Sequence, residues 1–138
     1  MLNQHMTRRL IETAVDRAEE DNKHIAVCIV DAHGELLGYL RMDGASLQAG
    51  VLAQNKAYTS ARDRQPSGNL GAWARETGKT LAYWTDPKIT GFKGGLPIER
   101  NGVVVGGIGI SGMSEEDDEL FANAVLSTTP LLEVTSPI

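Results

Sequence analysis

The fold is decided by the stretch Leu96-Pro-Ile-Glu-Arg-Asn-Gly-Val-Val-Val-Gly-Gly-Ile-Gly-Ile110. Two segments, Leu96–Arg100 and Val103–Ile110, flank the pair Asn101-Gly102. This pair is the strongest short-range sequence signal for a β-hairpin and favours a type I′ turn. Pro97 has no backbone N–H to donate to a neighbouring strand, so we expect it at a strand start or on a sheet edge. The stretch therefore predicts an antiparallel hairpin.

A second hairpin and two long helices are predicted nearer the N-terminus. The apolar run Ile25–Val30, the turn residues Asp31-Ala-His-Gly34 and the run Leu36–Leu40 together indicate the hairpin. Apolar residues at helical spacing predict an amphipathic first helix over about Asn3–Asp21. The same spacing predicts a central helix over Ala45–Asp63.

The remaining segments complete an α+β arrangement. Asn69 is predicted to cap a shorter helix that stops at Gly78, and Ser114-Glu-Glu-Asp117 opens the last helix. The segment Lys79–Gly95 has turn residues and no clean periodicity, so it is interpreted as a long functional or interface loop. The order helix, hairpin, helices, hairpin, helix predicts a single domain over residues 1–138, an antiparallel sheet with helices packed on it.

Composition excludes several classes of function. Thirteen basic residues are scattered among 18 acidic ones, for a net charge of −5, which disfavours a nucleic-acid partner. No apolar stretch approaches the roughly 18–20 residues of a membrane span, and the N-terminus lacks a signal-peptide pattern, so we expect a cytoplasmic protein without a membrane partner. The single cysteine, Cys28, lies in an apolar run and is interpreted as core packing.

The second hairpin also contains a glycine motif. Residues Gly107 to Gly112 satisfy the dinucleotide pattern G-x-G-x-x-G. A Rossmann unit would need a parallel strand with an acidic residue about 20 positions further on, whereas the preceding strand is one arm of a hairpin. We interpret the alternate glycines as clearing one face of the strand, so that a helix, a ligand or another backbone can approach closely.

Lys93-Gly94-Gly95 is the first candidate for a ligand site. Consecutive glycines expose backbone N–H groups that can form an anion-binding nest, and Lys93 adds a positive charge beside it. The alternative is a glycine-rich start of a strand next to a solvated lysine. Both interpretations are open at this stage, and the first predicts a pocket for a carboxylate or phosphate between this loop and the central helix.

Three charged residues near the central helix form a second group of candidates. Asp43 is predicted to cap the helix, and Arg41 to pair with a carboxylate or a ligand anion. Lys56 lies among small apolar neighbours, where it is either half of a structural ion pair, with Asp117 or Asp43, or a ligand clamp and acid/base group.

Aromatic and histidine residues complete the candidates. Trp84 and Phe92 lie in the long loop, where they line a ligand pocket or anchor a subunit contact. His5, His24 and His33 have no metal-binding spacing, so no metal site is predicted. Because no histidine stands in a recognisable pocket context, we expect added haem to bind weakly or not at all.

Several motifs in register resemble the GlcG/HbpS family, also called DUF336. The resemblance rests on Val30-Asp31 with Gly34, Arg41-Met-Asp-Gly-Ala45, Lys56-Ala-Tyr-Thr59, Gly94-Gly-Leu-Pro-Ile98 and Gly106-Gly-Ile-Gly-Ile-Ser-Gly112, followed by Asp117. It covers nearly the whole chain. It implies a profilin-like fold with a central antiparallel sheet of about five strands flanked by helices, and assembly into dimers and larger rings or octamers. It also implies haem binding in some members, fusion to corrinoid adenosyltransferases in one branch and roles in small-molecule catabolism in others.

Three functions remain open. The first is an oligomeric accessory protein that binds haem, a corrinoid-related molecule or a small organic acid; the second is an enzyme that moves a proton on a small carboxylate through Lys56. The third is a structural or sensory subunit. A homo-oligomer is expected in each case, because the aromatic loop and the tail with Leu131, Leu132 and Val134 are costly to leave in water.

Overall fold

The computed structural model of the protein describes residues 1–131. Its helices are α1 (Gln4–Glu20), α2 (Leu47–Asp63), α3 (Ser67–Thr77) and α4 (Glu115–Thr128). Its strands are β1 (Ala26–Asp31), β2 (Leu36–Arg41), β3 (Gly95–Arg100) and β4 (Val103–Ser111). The strands form one antiparallel sheet in the order β2-β1-β4-β3. None of the helices within these residues has the length and apolarity needed to cross a membrane.

The predicted α+β class and antiparallel sheet are confirmed, but the sheet has four strands in the described residues and not about five. Each predicted hairpin supplies two strands. The stretch between α3 and β3 adds none, because Pro87 and Gly91 interrupt it and no alternating apolar run lies there. It was predicted to be a loop throughout; it contains one short 3₁₀ helix, Leu81–Trp84.

The second hairpin has the predicted turn and edge. Asn101 and Gly102 have φ angles of 54° and 78°, the two positive values that a type I′ turn requires. Pro97 lies in β3, an edge strand of the sheet, and is paired with Gly107 of β4. An edge position leaves the missing proline N–H without consequence for the ladder.

Helices cover both faces of the sheet. Successive side chains of a strand point to opposite faces, so the residues of β1 are divided between two cores. Ile25, Val27 and Ile29 belong to a core shared with α1 and α4. The alternate residues Ala26, Cys28 and Val30 belong to a second core beneath α2. Burial raises the pKa of the Cys28 thiol to about 12, so this residue is uncharged at neutral pH and packs as a small apolar group.

The second core is thin, because α2 approaches the backbone of β4. The buried alanines Ala53 and Ala57 face Gly107 and Gly109 across this interface. A Cβ atom on Gly109 would overlap the Ala53 carbonyl, and one on Gly107 would meet the Ala57 carbonyl. Helix packing therefore accounts for the alternate glycines of the G-x-G-x-x-G pattern.

Two helix starts differ from the predictions. Ser46, not Asp43, caps α2: its Oγ accepts a hydrogen bond from a first-turn amide at 3.0 Å. Asn69 does not cap α3, which already begins at Ser67. Pro66 precedes that start with a φ of −56°, a value that suits a helix start and that its ring imposes, and Asn69 lies inside the first turn.

Candidate functional site

The way α1 ends places His24 at the start of β1. Asn22 adopts the left-handed conformation with φ 54°, and its N–H donates to Glu19 O at 3.2 Å. The Lys23 N–H donates to Ala18 O at 2.8 Å, which completes a Schellman motif. Asparagine tolerates this backbone conformation better than most residues. The chain therefore turns sharply out of the helix, and His24 follows with an exposed side chain.

Two glycines make room for other connections around His24. Gly44 lies between β2 and α2 with φ 89°, and a Cβ atom there would lie 3.1 Å from His24 Nδ1. Gly112 lies between β4 and α4 with φ 134°, and a Cβ atom there would lie 2.5 Å from the His24 carbonyl oxygen. Three connections thus meet around this residue at one end of the sheet.

The three connections enclose two open clefts that share His24. The first has a volume of about 570 Å³ and is lined by Val15, Glu19, Asn22, Lys23, His24, Leu40, Arg41, Met42 and Asp43. The second has a volume of about 510 Å³ and is lined by Asn22, Lys23, His24, Gly44, Ala45, Ser46, Gly112, Met113, Ser114 and Asp117. Both volumes fall in the range of roughly 300–1,000 Å³ that small-molecule pockets occupy.

The imidazole of His24 is oriented by the backbone. Its Nδ1 lies 3.0 Å from the carbonyl oxygen of Asp43. A carbonyl oxygen only accepts hydrogen bonds, so Nδ1 must carry the proton and donate it. In the neutral ring the lone pair then belongs to Nε2. A histidine whose Nδ1–H is held by a carbonyl oxygen is the arrangement that orients metal-ligating imidazoles in proteins.

The first cleft combines apolar side chains with charged groups of both signs. Val15, Leu40 and Met42 provide the apolar side chains. Lys23 and Arg41 provide two cations beside the carboxylates of Glu19 and Asp43, and none of these four groups takes part in a salt bridge among residues 1–131. The cleft can therefore accept a ligand with an apolar body and anionic groups.

The structure does not bring all of the predicted site residues together. Arg41 and Asp43 line the first cleft. Arg41 ends β2, whereas Gly95 begins β3, and these strands are the opposite edges of the sheet. Three strand spacings of about 4.8 Å separate such edges by roughly 14 Å. Arg41 and the Gly94-Gly95 loop therefore belong to different regions of the surface.

Lys56 forms a buried ion pair at the β3 side of the sheet. Its Nζ donates to Asp118 Oδ2 and to Ile110 O, each at 2.9 Å, so its partner is Asp118 and neither Asp117 nor Asp43. Both side chains are 2% exposed. Burial raises the pKa of Asp118, against the opposing effects of the Lys56 ammonium and of the Met113 N–H, which donates to Asp118 Oδ1.

The Lys93-Gly94-Gly95 loop packs against this pair. Gly94 has φ 127°, and a Cβ atom there would lie 2.8 Å from Lys56 Nζ. The Gly95 N–H donates to Ser67 Oγ at 3.0 Å and the Lys93 N–H donates to Glu115 Oε1 at 3.2 Å. These two amides have partners within the protein, so an anion in the predicted nest would have to displace them.

Trp84 and Phe92 lie apart from both clefts. The Trp84 ring meets the Trp73 ring edge to face, with centroids 5.7 Å apart, and Tyr83 meets Trp73 in the same way at 6.2 Å. Phe92 is 49% exposed, while its carbonyl oxygen accepts a hydrogen bond from Ser67. Trp84 therefore contributes to an aromatic cluster, and Phe92 presents its ring to solvent.

Sequence reasoning missed His24 and its neighbours Lys23 and Met42 as site residues. The signals that locate them are turn signals: an asparagine just after the helix and glycines at positions 44 and 112, which together bring three connections to one point. Such convergence is a property of the fold and not of any one segment. Within the described residues, no three side chains of His, Cys, Asp or Glu form a ready metal site.

Comparison with known proteins gives consistent matches. The family model for the haem degrading protein HbpS-like family matches residues 2–127. Protein GlcG of Escherichia coli K12 is 30% identical over 111 residues, which cover 80% of this chain and 81% of GlcG. The crystal structure of Klebsiella pneumoniae ORFY matches with TM-score 0.85 and 27% identity over 96% of this chain and 92% of ORFY. A PduOC–haem complex matches with TM-score 0.83 and 32% identity over 91% and 93%.

Proposed function

Because the chain belongs to the haem degrading HbpS-like family, we propose that it binds haem in the first cleft, with His24 as the iron ligand. The observation that carries the proposal is the orientation of the His24 ring, with Nδ1–H on the Asp43 carbonyl and the Nε2 lone pair left over. A related protein of similar fold, PduOC, has been solved with haem. Haem supplies redox and O₂ chemistry that side chains lack.

The residues around His24 fit the parts of a haem. The apolar side chains of Val15, Leu40 and Met42 suit the macrocycle, and the unpaired cations of Lys23 and Arg41 suit the two propionates. The thioether of Met42 lines the same cleft and would be a second group able to hold the iron. This proposal departs from the weak binding predicted from sequence, since the fold supplies a pocket context for His24.

A ligand-binding role is better supported than proton transfer by Lys56. The Lys56 ammonium is 2% exposed and already donates to two oxygens. A general acid or base must reach the substrate proton directly or through one water. Removing Lys56 from its pair would leave Asp118 as a buried charge without a partner, which opposes any such movement.

We also propose that the protein assembles with copies of itself. Leu47 and Val51 on α2 are 76% and 46% exposed, and Tyr39 on the neighbouring edge strand β2 is 38% exposed. Exposed apolar side chains beside an unpaired strand edge favour association. The tail residues Leu132 and Val134, which also led to this expectation, lie outside the described residues; Leu131 packs against the larger core.

Titration of the purified protein with haem tests the proposed site. We expect a change in the Soret band that saturates at one haem per chain and is lost in His24→Ala, with partial recovery when free imidazole is added. His5→Ala and His33→Ala are matched controls, because both histidines are exposed and line neither cleft. Retention of the wild-type spectrum and affinity in His24→Ala would contradict the assignment, and circular dichroism checks that each variant is folded.

A further inference from the structure

A separate, smaller cavity lies on the α2 face of the sheet, away from the His24 clefts. Its volume is about 190 Å³, and it is lined by Cys28, Val30, Gly34, Glu35, Leu36, Gln54, Asn55, Tyr58 and Lys88. Cys28 and Val30 provide an apolar, uncharged floor from β1, and α2 provides one wall. The cavity lies between α2 and the β1–β2 hairpin, whereas the closest backbone approach of α2 is to β4.

A short loop segment closes part of this cavity and is fastened to α2. The Tyr58 hydroxyl donates to Asp86 Oδ2 at 2.5 Å, and the Lys88 N–H donates to Asp86 Oδ1 at 3.0 Å. The Thr90 N–H donates to Thr59 Oγ1 at 3.0 Å. These bonds hold Lys88 above the Tyr58 ring, with Nζ 5.2 Å from the ring centroid.

Opposite charges line this cavity without forming a salt bridge. Among residues 1–131 neither the Lys88 ammonium nor the Glu35 carboxylate takes part in a salt bridge. The Asn55 side chain has no hydrogen-bond partner in the same part of the chain, and the Gln54 amide nitrogen donates only to Gly50 O. A cation, an anion and a free amide thus converge on one small space with an apolar floor.

We propose that this cavity binds a small α-amino acid as its zwitterion. A carboxylate would meet the Lys88 ammonium and the Asn55 amide, and an ammonium group would meet Glu35, so that both rim charges find a partner at once. The cavity is smaller than the roughly 300–1,000 Å³ of drug-sized pockets, which limits the ligand to about ten non-hydrogen atoms. The floor of Cys28 and Val30 suits a short aliphatic side chain.

The site is independent of haem binding. Its floor comes from the β1 side chains that face α2, whereas the first His24 cleft includes Val15 and Glu19 of α1, on the opposite face of the sheet. Failure of one proposal therefore leaves the other standing, and the two ligands can be titrated separately on the same protein.

Titration of the ¹⁵N-labelled protein with glycine, L-alanine, L-serine and L-aspartate, followed by amide chemical shifts, tests the proposal. We expect saturable shifts at Gly34, Asn55 and Lys88 for at least one of them. For L-alanine the matched ligands are alaninamide, which lacks the carboxylate, and propionate, which lacks the ammonium. Each should bind at least about tenfold more weakly than L-alanine, a difference of about 1.4 kcal/mol.

Two charge-neutralising variants assign the ends of the ligand. Lys88→Met should abolish the preference for L-alanine over alaninamide. Glu35→Gln should abolish the preference for L-alanine over propionate. Lys79→Met is the matched control, because Lys79 also lies 5.2 Å from a tyrosine ring, that of Tyr83, and lines no part of this cavity. The proposal is overturned if none of the four amino acids shifts these amides at tens of millimolar, or if either variant keeps the wild-type preferences.

Discussion

The Lys56 ammonium lies 2.9 Å from the Asp118 carboxylate, and this contact ties α2 to the first turn of α4 around the end of β4. A second acceptor, the Ile110 carbonyl oxygen, also lies 2.9 Å from Nζ. The pair therefore joins the two helical layers that cover opposite faces of the sheet. In a protein with few aromatic residues and a thin alanine–glycine interface, we expect this polar contact to contribute to the alignment of the layers.

Replacing Lys56 alone should destabilise the folded protein. Lys56→Met keeps most of the side-chain volume but leaves Asp118 buried without its counter-ion, so we expect unfolding free energy to fall by about 3–5 kcal/mol. The loss should shrink in acid, because protonation of Asp118, whose pKa burial already raises, removes the unpaired charge. Urea unfolding at several pH values measures both effects.

The double variant Lys56→Met/Asp118→Asn separates pairing from packing. The asparagine oxygen can still accept the Met113 N–H, so the double variant should lose less stability than Lys56→Met alone. If the two single changes simply add, the ion pair contributes little, and the alignment of the helices has another origin.

The sequence predicted the elements better than it predicted their assembly. Asn101-Gly102 and Pro97 specify the second hairpin and its edge through local backbone chemistry, which requires no knowledge of the rest of the chain. Ser46 replaced Asp43 as the α2 cap because both residues suit the role and only the path of the preceding turn selects between them.

The candidate site was harder to predict for a related reason. His24 has no neighbour in sequence that marks it as a ligand, and its cleft forms from three connections that are distant along the chain. Lys56 was correctly placed among apolar neighbours, but its partner is Asp118, one residue beyond the predicted Asp117. In a helix one residue changes the direction of a side chain by about 100°, so the choice depends on the exact helix phase.

The Tyr58–Asp86 hydrogen bond should give the loop over the small cavity a defined pH window. Asp86 has a pKa below its ordinary value, chiefly because of the Tyr58 bond, so its contribution is present above about pH 4 and is lost as pH falls through the lowered pKa. Tyr58 has a raised pKa, chiefly because of Asp86, so its contribution is present below about pH 10 and is lost as pH rises through the raised pKa.

Ultraviolet titration of the phenols tests this window. The phenol that disappears in Tyr58→Phe is assigned to Tyr58, and Asp86→Asn should move its pKa back toward the ordinary value by removing the carboxylate charge. Asp16→Asn is the control, since Asp16 is exposed on α1. An unchanged Tyr58 titration in Asp86→Asn would show that the hydrogen bond does not hold the loop in solution.

The proposed assembly surface gives the last prediction. Leu47 and Val51 lie one helical turn apart on α2, and the Tyr39 hydroxyl of the edge strand β2 lies beside Gly50 of α2. We therefore expect these three side chains to form one apolar strip. Light scattering of the wild-type protein at micromolar concentration should give a mass well above the 14.9 kDa of one chain. Leu47→Glu/Val51→Glu should reduce it toward that value, because burying two carboxylates without partners opposes association. Leu120→Glu is the matched control: Leu120 is 69% exposed, but on α4, across the sheet from this strip. If the wild type is a monomer, or if Leu120→Glu dissociates it equally, the strip on α2 and β2 is not the interface.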